Sequence, residues 1–399
     1  MVRSAGPKKL GERAMVRSAG AKVLAETYRA KRAEDRGQGM RDLLREHRKM
    51  YPCMQVQDAV KLLYQSEFGG GHMIANPQKS LEFLKQEQRE RKGHLASLKK
   101  TDFPVCQPIG GGMYRISLDA LDEGLSPETL NQMFVQTADH KMGTREGLEE
   151  KFRLLLQCSR QGDLPFGEEQ VLSYLDDYRA KGYPMVSHSA VYREAYSPAY
   201  RVVSEAYVRY YRAFCRIDQA LKKARMSGGR SQVLAAIDGM CASGKSTMGR
   251  ILQGIYSCNL FHMDDYFLQP HQRTEERMKE IGGNVDYERF QKEILAHIGD
   301  EKGLSYQVYD CSKRQLAQRI QVPRSDLNIV EGSYSQHPYF GPVWDLRFFC
   351  GISEEEQISR IRLRNGEAML ERFKNEWIPK ENEYFTAFSI REKSIAASE

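Results

Sequence analysis

The stretch Gly239-Met-Cys-Ala-Ser-Gly-Lys-Ser246, followed by Thr247, constrains this chain more than any other feature. It satisfies G-x-x-x-x-G-K-[ST] without a gap, and its flanks give the pattern a mechanism. Val233-Leu-Ala-Ala-Ile-Asp238 upstream is a short apolar run of strand type. Thr247-Met-Gly-Arg-Ile-Leu-Gln253 downstream has the spacing of an amphipathic helix. A glycine-rich turn between strand and helix points its backbone N–H groups at phosphate oxygens, and the helix N-terminus adds partial positive charge. Gly239 and Gly244 allow a close approach that a Cβ would block. Gly239, Ala242, Ser243, Gly244, Lys245, Ser246 and Thr247 are therefore the expected nucleotide-binding residues. Lys245 is expected to reach the β- and γ-phosphates of ATP, and the Ser246 hydroxyl to ligate Mg²⁺. The plainer alternative, a glycine turn that happens to contain Lys-Ser, does not account for the strand and helix around it.

A chain of 399 residues is too long for one core and predicts two domains. With 41% hydrophobic and 28% charged residues it reads as soluble and globular. No apolar run approaches a membrane span, and no secretory h-region stands near the start. The eight cysteines are scattered without a C-x-x-C pair, several within apolar runs. That pattern favours buried free thiols over disulfides or a zinc site, and with them a cytoplasmic location. The net charge of +7 is concentrated: residues 1–50 hold 14 Lys and Arg against 6 Asp and Glu, and the remainder 46 against 47. Acids interleave with the bases of this tail and aromatics are almost absent. It reads as a solvated, partly helical tail, so neither nucleic acid nor membrane is an expected partner.

Residues 1–39 form a basic leader, expected to be poorly ordered, in which Met1-Val-Arg-Ser-Ala-Gly6 recurs as Met15-Val-Arg-Ser-Ala-Gly20. A duplicated leader or an uncertain start codon accounts for it. Residues 40–225 read as a mainly α-helical domain, with three- and four-residue apolar spacing in 58–64, 77–85, 148–156, 167–175 and 200–214. Three breaks interrupt it, at Gly69-Gly-Gly-His72, Gly110-Gly-Gly-Met-Tyr114 and Val186-Ser-His-Ser189. His72, His140 and His188 lack helical H-x-x-x-H spacing, so turn and capping roles are the default over a metal or acid–base site. No chemistry follows from this domain's residues. A basic helix end runs into Ser-Gly-Gly over 226–232, a linker. From 233 to 399 the pattern alternates. Strand candidates are 233–238, 258–263, 304–309, 327–331 and 346–350, and helix candidates 245–254, 286–298 and 353–365. The expected fold class is α/β, a mostly parallel sheet flanked by helices, preceded by the mainly α-helical domain.

Further candidates sit at strand ends, where such sheets bind ligands. Phe261-His-Met-Asp-Asp-Tyr-Phe267 closes the second strand with two acids. Asp264 or Asp265 is suited to orient an acceptor hydroxyl, or else to cap a turn. Asp286 in Asn284-Val-Asp-Tyr287 is an N-cap, a holder of substrate hydroxyls, or both. Tyr309 and Asp310 are candidates for lining an acceptor pocket. Glu331 ends an apolar strand, a position suited to Mg²⁺ or its water. Arg360 and Arg364, four apart, share a helical face and could act as lid arginines, whereas Arg362 reads as solvated.

In this order and spacing the motifs of residues 230–390 resemble the uridine kinase and phosphoribulokinase family of P-loop kinases. They are Asp238-Gly-Met-Cys-Ala-Ser-Gly-Lys-Ser-Thr247, Met263-Asp-Asp-Tyr-Phe267, Val285-Asp-Tyr287, Val308-Tyr-Asp310, Val330-Glu-Gly332 and the Arg360/Arg364 helix. The resemblance implies an ATP- and Mg²⁺-dependent transfer to a small-molecule alcohol, most simply the 5′-hydroxyl of a nucleoside. It implies Lys245, Asp264, Arg360 and Arg364 as catalytic residues, and Asp265, Asp286 and Tyr309 as substrate contacts. Two features depart from the family. Tyr309-Asp310 is followed by Cys311-Ser-Lys-Arg314 with no histidine to read a pyrimidine, and Tyr334-Ser-Gln-His-Pro338 is long and polar. The helical domain is no part of a minimal uridine kinase. The alternative is a nucleotide-gated binding module whose helical domain contacts a partner. The acceptor and the oligomeric state stay open.

Overall fold

The computed structural model describes residues 39–70, 74–94, 103–140, 143–227 and 232–397. The leader up to residue 38, His72, and residues 228–231 of the expected linker lie outside them. The chain divides into two units. The first comprises Met1–Ile74, Leu98–Ser117 and Thr137–Val202, and the second Ala75–Ser97, Leu118–Gln136 and Val203–Glu399.

Helices over 39–50, Val56–Phe68, Arg145–Arg160, Glu168–Ala180 and Ala190–Tyr196 dominate the first unit. Their apolar spacing becomes one core, including Leu44, Leu62, Leu63, Phe152, Leu155 and Leu175. Each such side chain contributes roughly 1.5–3 kcal/mol on full burial. Thr144 caps Arg145–Arg160 by accepting from Gly147 N at 2.9 Å. This unit also contains strands that helical spacing did not foretell. β1 (Cys106–Gly110) and β2 (Met113–Ser117) pair antiparallel, and β3 (Tyr200–Ser204) joins β2. The glycine triplet is the turn between β1 and β2. At Gly111, φ is +62° and a Cβ would lie 2.1 Å from Ser66 O, so no other residue fits.

The continuous helix expected over 200–214 is therefore a strand, a short helix at Glu205–Val208 and a longer one at Tyr211–Met226. Val202 and Val203 are both buried, and β-branched pairs suit a ladder better than a helix. The Ser204 hydroxyl then accepts from Ala206 N at 3.3 Å to start the helical path.

The second unit is built on a parallel sheet. β4 (Val233–Gly239) lies between β8 (Leu327–Glu331) and β9 (Leu346–Cys350). β5 (Asn259–His262) flanks β8, and β10 (Ile395–Ala396) flanks β9. All seven β4 residues are buried, as a central parallel strand requires. Helices Lys245–Tyr256, Glu354–Asn365 and Ile378–Ala387 belong to this unit. The expected third strand, β6 (Leu304–Asp310), is not in the sheet. It pairs antiparallel with β7 (Gln315–Val322) as a separate hairpin. The short return at 311–314 favours this local pairing over a crossover. Among the described residues no helix is long and apolar enough to cross a membrane.

Candidate functional site

β4 delivers the chain into the phosphate loop at its carboxyl end. Gly239 has φ +139°, and a Cβ there would fall 2.1 Å from Cys350 O on β9. The parallel register sets Gly239 opposite Cys350, so the loop starts flush against its neighbour. Met240 N donates to Cys350 O at 3.0 Å. Ala242 carries φ +59°, Gly244 is the N-cap of Lys245–Tyr256, and Ser246 and Thr247 are exposed on the first turn. Lys245 Nζ donates to Gly239 O at 2.7 Å and Met240 O at 2.9 Å, so its charge is turned back onto the loop's own carbonyls. The Ser243 hydroxyl is buried with no partner among the described residues.

Acidic groups surround this loop. Asp238 is fully buried, accepting from Gly239 N (2.7 Å), Gln336 N (3.0 Å) and the Tyr384 hydroxyl (2.9 Å). Burial pushes its carboxyl up to about 6, against the pull of Lys245 and these donors. Glu381, also buried, accepts from Cys241 N at 2.8 Å and from the Ser333 hydroxyl at 2.5 Å. Glu331 ends β8 in register with His262 on β5, and its Oε1 lies 2.5 Å from His262 Nδ1. The hydrogen bond to Glu331 raises His262 above its ordinary value, against burial. Asp264 follows two residues after His262. Its carboxyl opens to solvent but has protein on most sides, and burial, then Glu331, raises it. Asp265 is raised chiefly by burial, opposed by His262 and Arg289.

The expected site residues divide accordingly. Lys245, Asp264, Asp265 and Glu331 gather at the carboxyl ends of β4, β5 and β8. Arg360 reaches the loop, with Nη1 donating to Ala242 O at 3.1 Å and Nη2 bonded to Glu356. Arg364 does not: it is exposed and bonds Asn365. Arg362 pairs with Glu367 in solvent. Asp286 caps Tyr287–Phe290 through Arg289 N at 3.1 Å and also accepts from Gln272 Nε2 at 2.9 Å. Tyr309 is buried within the β6–β7 hairpin. The Asp310 carboxylate accepts from Ser312 and Lys313 in the hairpin turn.

Sequence reasoning passed over His262, although it adjoins the Asp264-Asp265 pair in an end-of-strand position that carried the signal. Glu381, Ser333 and Tyr384 had no local signal, since Glu381 and Tyr384 bond residues 140 and 146 positions away and Ser333 bonds Glu381, 48 positions on. Among the described residues no group of three or more His, Cys, Asp or Glu forms a ready-made metal cage. The donors suited to Mg²⁺ are instead the Ser246 hydroxyl and the Glu331 carboxylate, hard oxygens that leave room for phosphate and water.

No family model matches the chain, and no curated protein matches it significantly. Among solved structures, a protein described as a possible uridine kinase from Bacillus stearothermophilus is 19% identical at a TM-score of 0.35, the likeness covering 45% of this chain and 96% of that one. One described as a fructose transport system kinase from Silicibacter sp. TM1040 is also 19% identical at 0.35, over 42% and 91%. Likeness at this level carries no argument about activity.

Proposed function

We propose that the second unit is an ATP-dependent small-molecule kinase that passes the γ-phosphoryl group to an alcohol, the 5′-hydroxyl of a nucleoside being the first candidate. The observation that carries this reading is that a phosphate loop and a raised, solvent-open carboxyl, Asp264, sit at the carboxyl ends of β4 and β5, parallel strands that flank β8. A loop that merely sensed nucleotide would need no such carboxyl facing it.

Lys245 swings from the carbonyls of Gly239 and Met240 onto the β- and γ-phosphates when nucleotide arrives. The loop's N–H groups and the start of Lys245–Tyr256 take up the remaining phosphate charge. Ser246 and Glu331 would hold Mg²⁺, which would supply charge neutralisation at the phosphate oxygens. Asp264 accepts a hydrogen bond from the acceptor hydroxyl, aims its oxygen at the γ-phosphorus and takes its proton. Asp265, Asp286 and Tyr309 are the proposed contacts of the acceptor's remaining groups. Arg360, anchored on the loop through Ala242 O, balances charge on the transferring group, and Arg364 would join it only on closure of the helix. Asp238 and Glu381 position the loop from beneath.

The test is ADP release from ATP–Mg²⁺ against nucleosides, simple sugars and pantothenate, with Lys245→Ala as the blank. Acceptor-dependent release that vanishes in the blank, by at least about a thousandfold or ~4 kcal/mol, is the expected result. Tight ATP binding with no acceptor-stimulated release would sink it and leave the nucleotide-gated module standing.

A further inference from the structure

The first unit contains a buried polar cluster for which phosphoryl transfer has no use. β1 and β2 pair with Gln107 directly opposite Arg115, so the two side chains share one face of the ladder. Arg115 is only 2% exposed. Its Nε and Nη2 both donate to Gln65 Oε1, at 3.0 and 2.8 Å, and its guanidinium stands 4.6 Å from the Tyr200 ring centre. Among the described residues no carboxylate pairs with it and no acceptor takes Nη1. A guanidinium does not shed its proton, so this is a buried positive charge held by one amide oxygen and one ring face.

The acid whose charge reaches His47, Lys61 and Tyr200 is already saturated. Asp58, fully buried, accepts from His188 Nδ1 (2.9 Å), Ser189 N (3.0 Å), the Ser189 hydroxyl (2.7 Å) and Gln55 N (3.0 Å). Those bonds outweigh the upward push of burial and keep it ionised. Burial, aided by Arg115 and Lys61 and opposed by Asp58, takes His188 down to about 4. The ring is therefore neutral. Its Nδ1–H points at Asp58, and its Nε2 accepts the Tyr200 hydroxyl at 2.7 Å. This chain of contacts fixes Tyr200 against the guanidinium.

Two further donors converge here. His47 is 2% exposed, and burial, then Arg115, holds it well below its ordinary value. Gln107 Nε2 lies 3.5 Å from its Nδ1, and the ring's buried Nε2 has no hydrogen-bond partner among the described residues. Lys61 donates to Val186 O at 2.8 Å. Burial and Arg115 lower it to about 8, so at neutral pH most of it is charged. Buried donors without acceptors are rare in native folds. Here one such buried nitrogen, His47 Nε2, shares a neighbourhood with two cations, Arg115 and Lys61, while Asp58 is engaged in its own bonds. That is the protein half of a complex with an anion.

We propose that this cluster is a second ligand site, independent of the phosphate loop, which takes a small oxyanion, a carboxylate or phosphate group, on the outer edge of Arg115 with His47 and Lys61 as further donors.

The test follows hydrogen exchange by mass spectrometry on the full chain without nucleotide, in chloride, inorganic phosphate or acetate at matched ionic strength. Peptides from 56–68, 106–117 and 187–204 report on this site, and 233–256 on the phosphate loop. Exchange in the first set should slow by at least about threefold at anion concentrations above twice the dissociation constant. Slowing by phosphate alone identifies a phosphate ligand, by acetate alone a carboxylate, and by both an unselective oxyanion site. The effect should persist in Lys245→Ala, disappear in Arg115→Gln and survive in part in Arg115→Lys. No slowing by either anion in the native chain, or undiminished slowing in Arg115→Gln, overturns the proposal. The native-chain result decides even where a variant fails to fold.

Discussion

At the phosphate loop, the charge of Lys245 is folded onto its own carbonyls and looks out at Asp264, Glu331 and Glu381. At the cluster in the first unit, Arg115 is held by one amide oxygen, and the acid beside it is fully engaged. One region carries a surplus of carboxylate and the other a surplus of donors. An acid surplus is relieved by cations arriving with a phosphate chain, and a donor surplus by an anion. The chain thus makes opposite electrostatic demands in its two units.

Acid should separate the units most sharply. His188 has a folded-state value of about 4 against an ordinary 6.5, so the unfolded chain takes up a proton that the folded one refuses. Its contribution is intact above pH 6.5 and is lost as pH falls from 6.5 to 4, by about 3 kcal/mol in full. Urea unfolding followed by exchange of the first unit's peptides should show that loss, and His188→Gln should flatten it. A slope unchanged by the substitution would remove His188 from the account. At the phosphate loop acid acts on rate instead. Asp264 must be ionised to take a proton and its value is raised, so turnover should fall with pH through a limb above the usual aspartate range. Asp264→Asn should lower kcat about a hundredfold and abolish that limb. Substituting Asp265 with the same result would transfer the role.

How much of this was legible beforehand depends on how far apart the partners lie. The phosphate loop is contiguous, so Gly239 to Thr247 could be read directly, as could the strands on either side of it. Asp264 and Glu331 were legible because strand ends in a parallel sheet gather at one edge. The cluster around Arg115 joins Asp58, Arg115 and His188, each in a different element, and the strand that brings Tyr200 in resembles helix in its spacing. His188 was visible as a histidine in a turn, but its partner, 130 residues earlier, was not.

Arginine spacing gives a smaller test. Arg360 touches the loop and Arg364 does not, although four residues apart they looked equivalent in sequence. Arg360→Ala should cost about tenfold in kcat/KM, ~1.4 kcal/mol, and Arg364→Ala much less. Equal losses in steady-state assays would mean that the helix rearranges during turnover. The smallest expected effect is at Ala242, whose φ of +59° is unfavourable for a residue with a Cβ. Ala242→Gly should raise stability by roughly 0.5–1 kcal/mol in denaturant titration. A loss would mean that the loop relies on the stiffness of that alanine.

The bonds from Glu381 to Cys241 N and the Ser333 hydroxyl have a bearing on biosynthesis. The loop motif leaves the ribosome 140 residues before the carboxylate that fastens it. A growing chain can pair β4 with β8 and β9 and still have no anchored loop until Ile378–Ala387 has been made and docked. Anchoring of the loop is thereby deferred until that helix has been made, and a chain cut short before it would have a complete motif but an untethered loop.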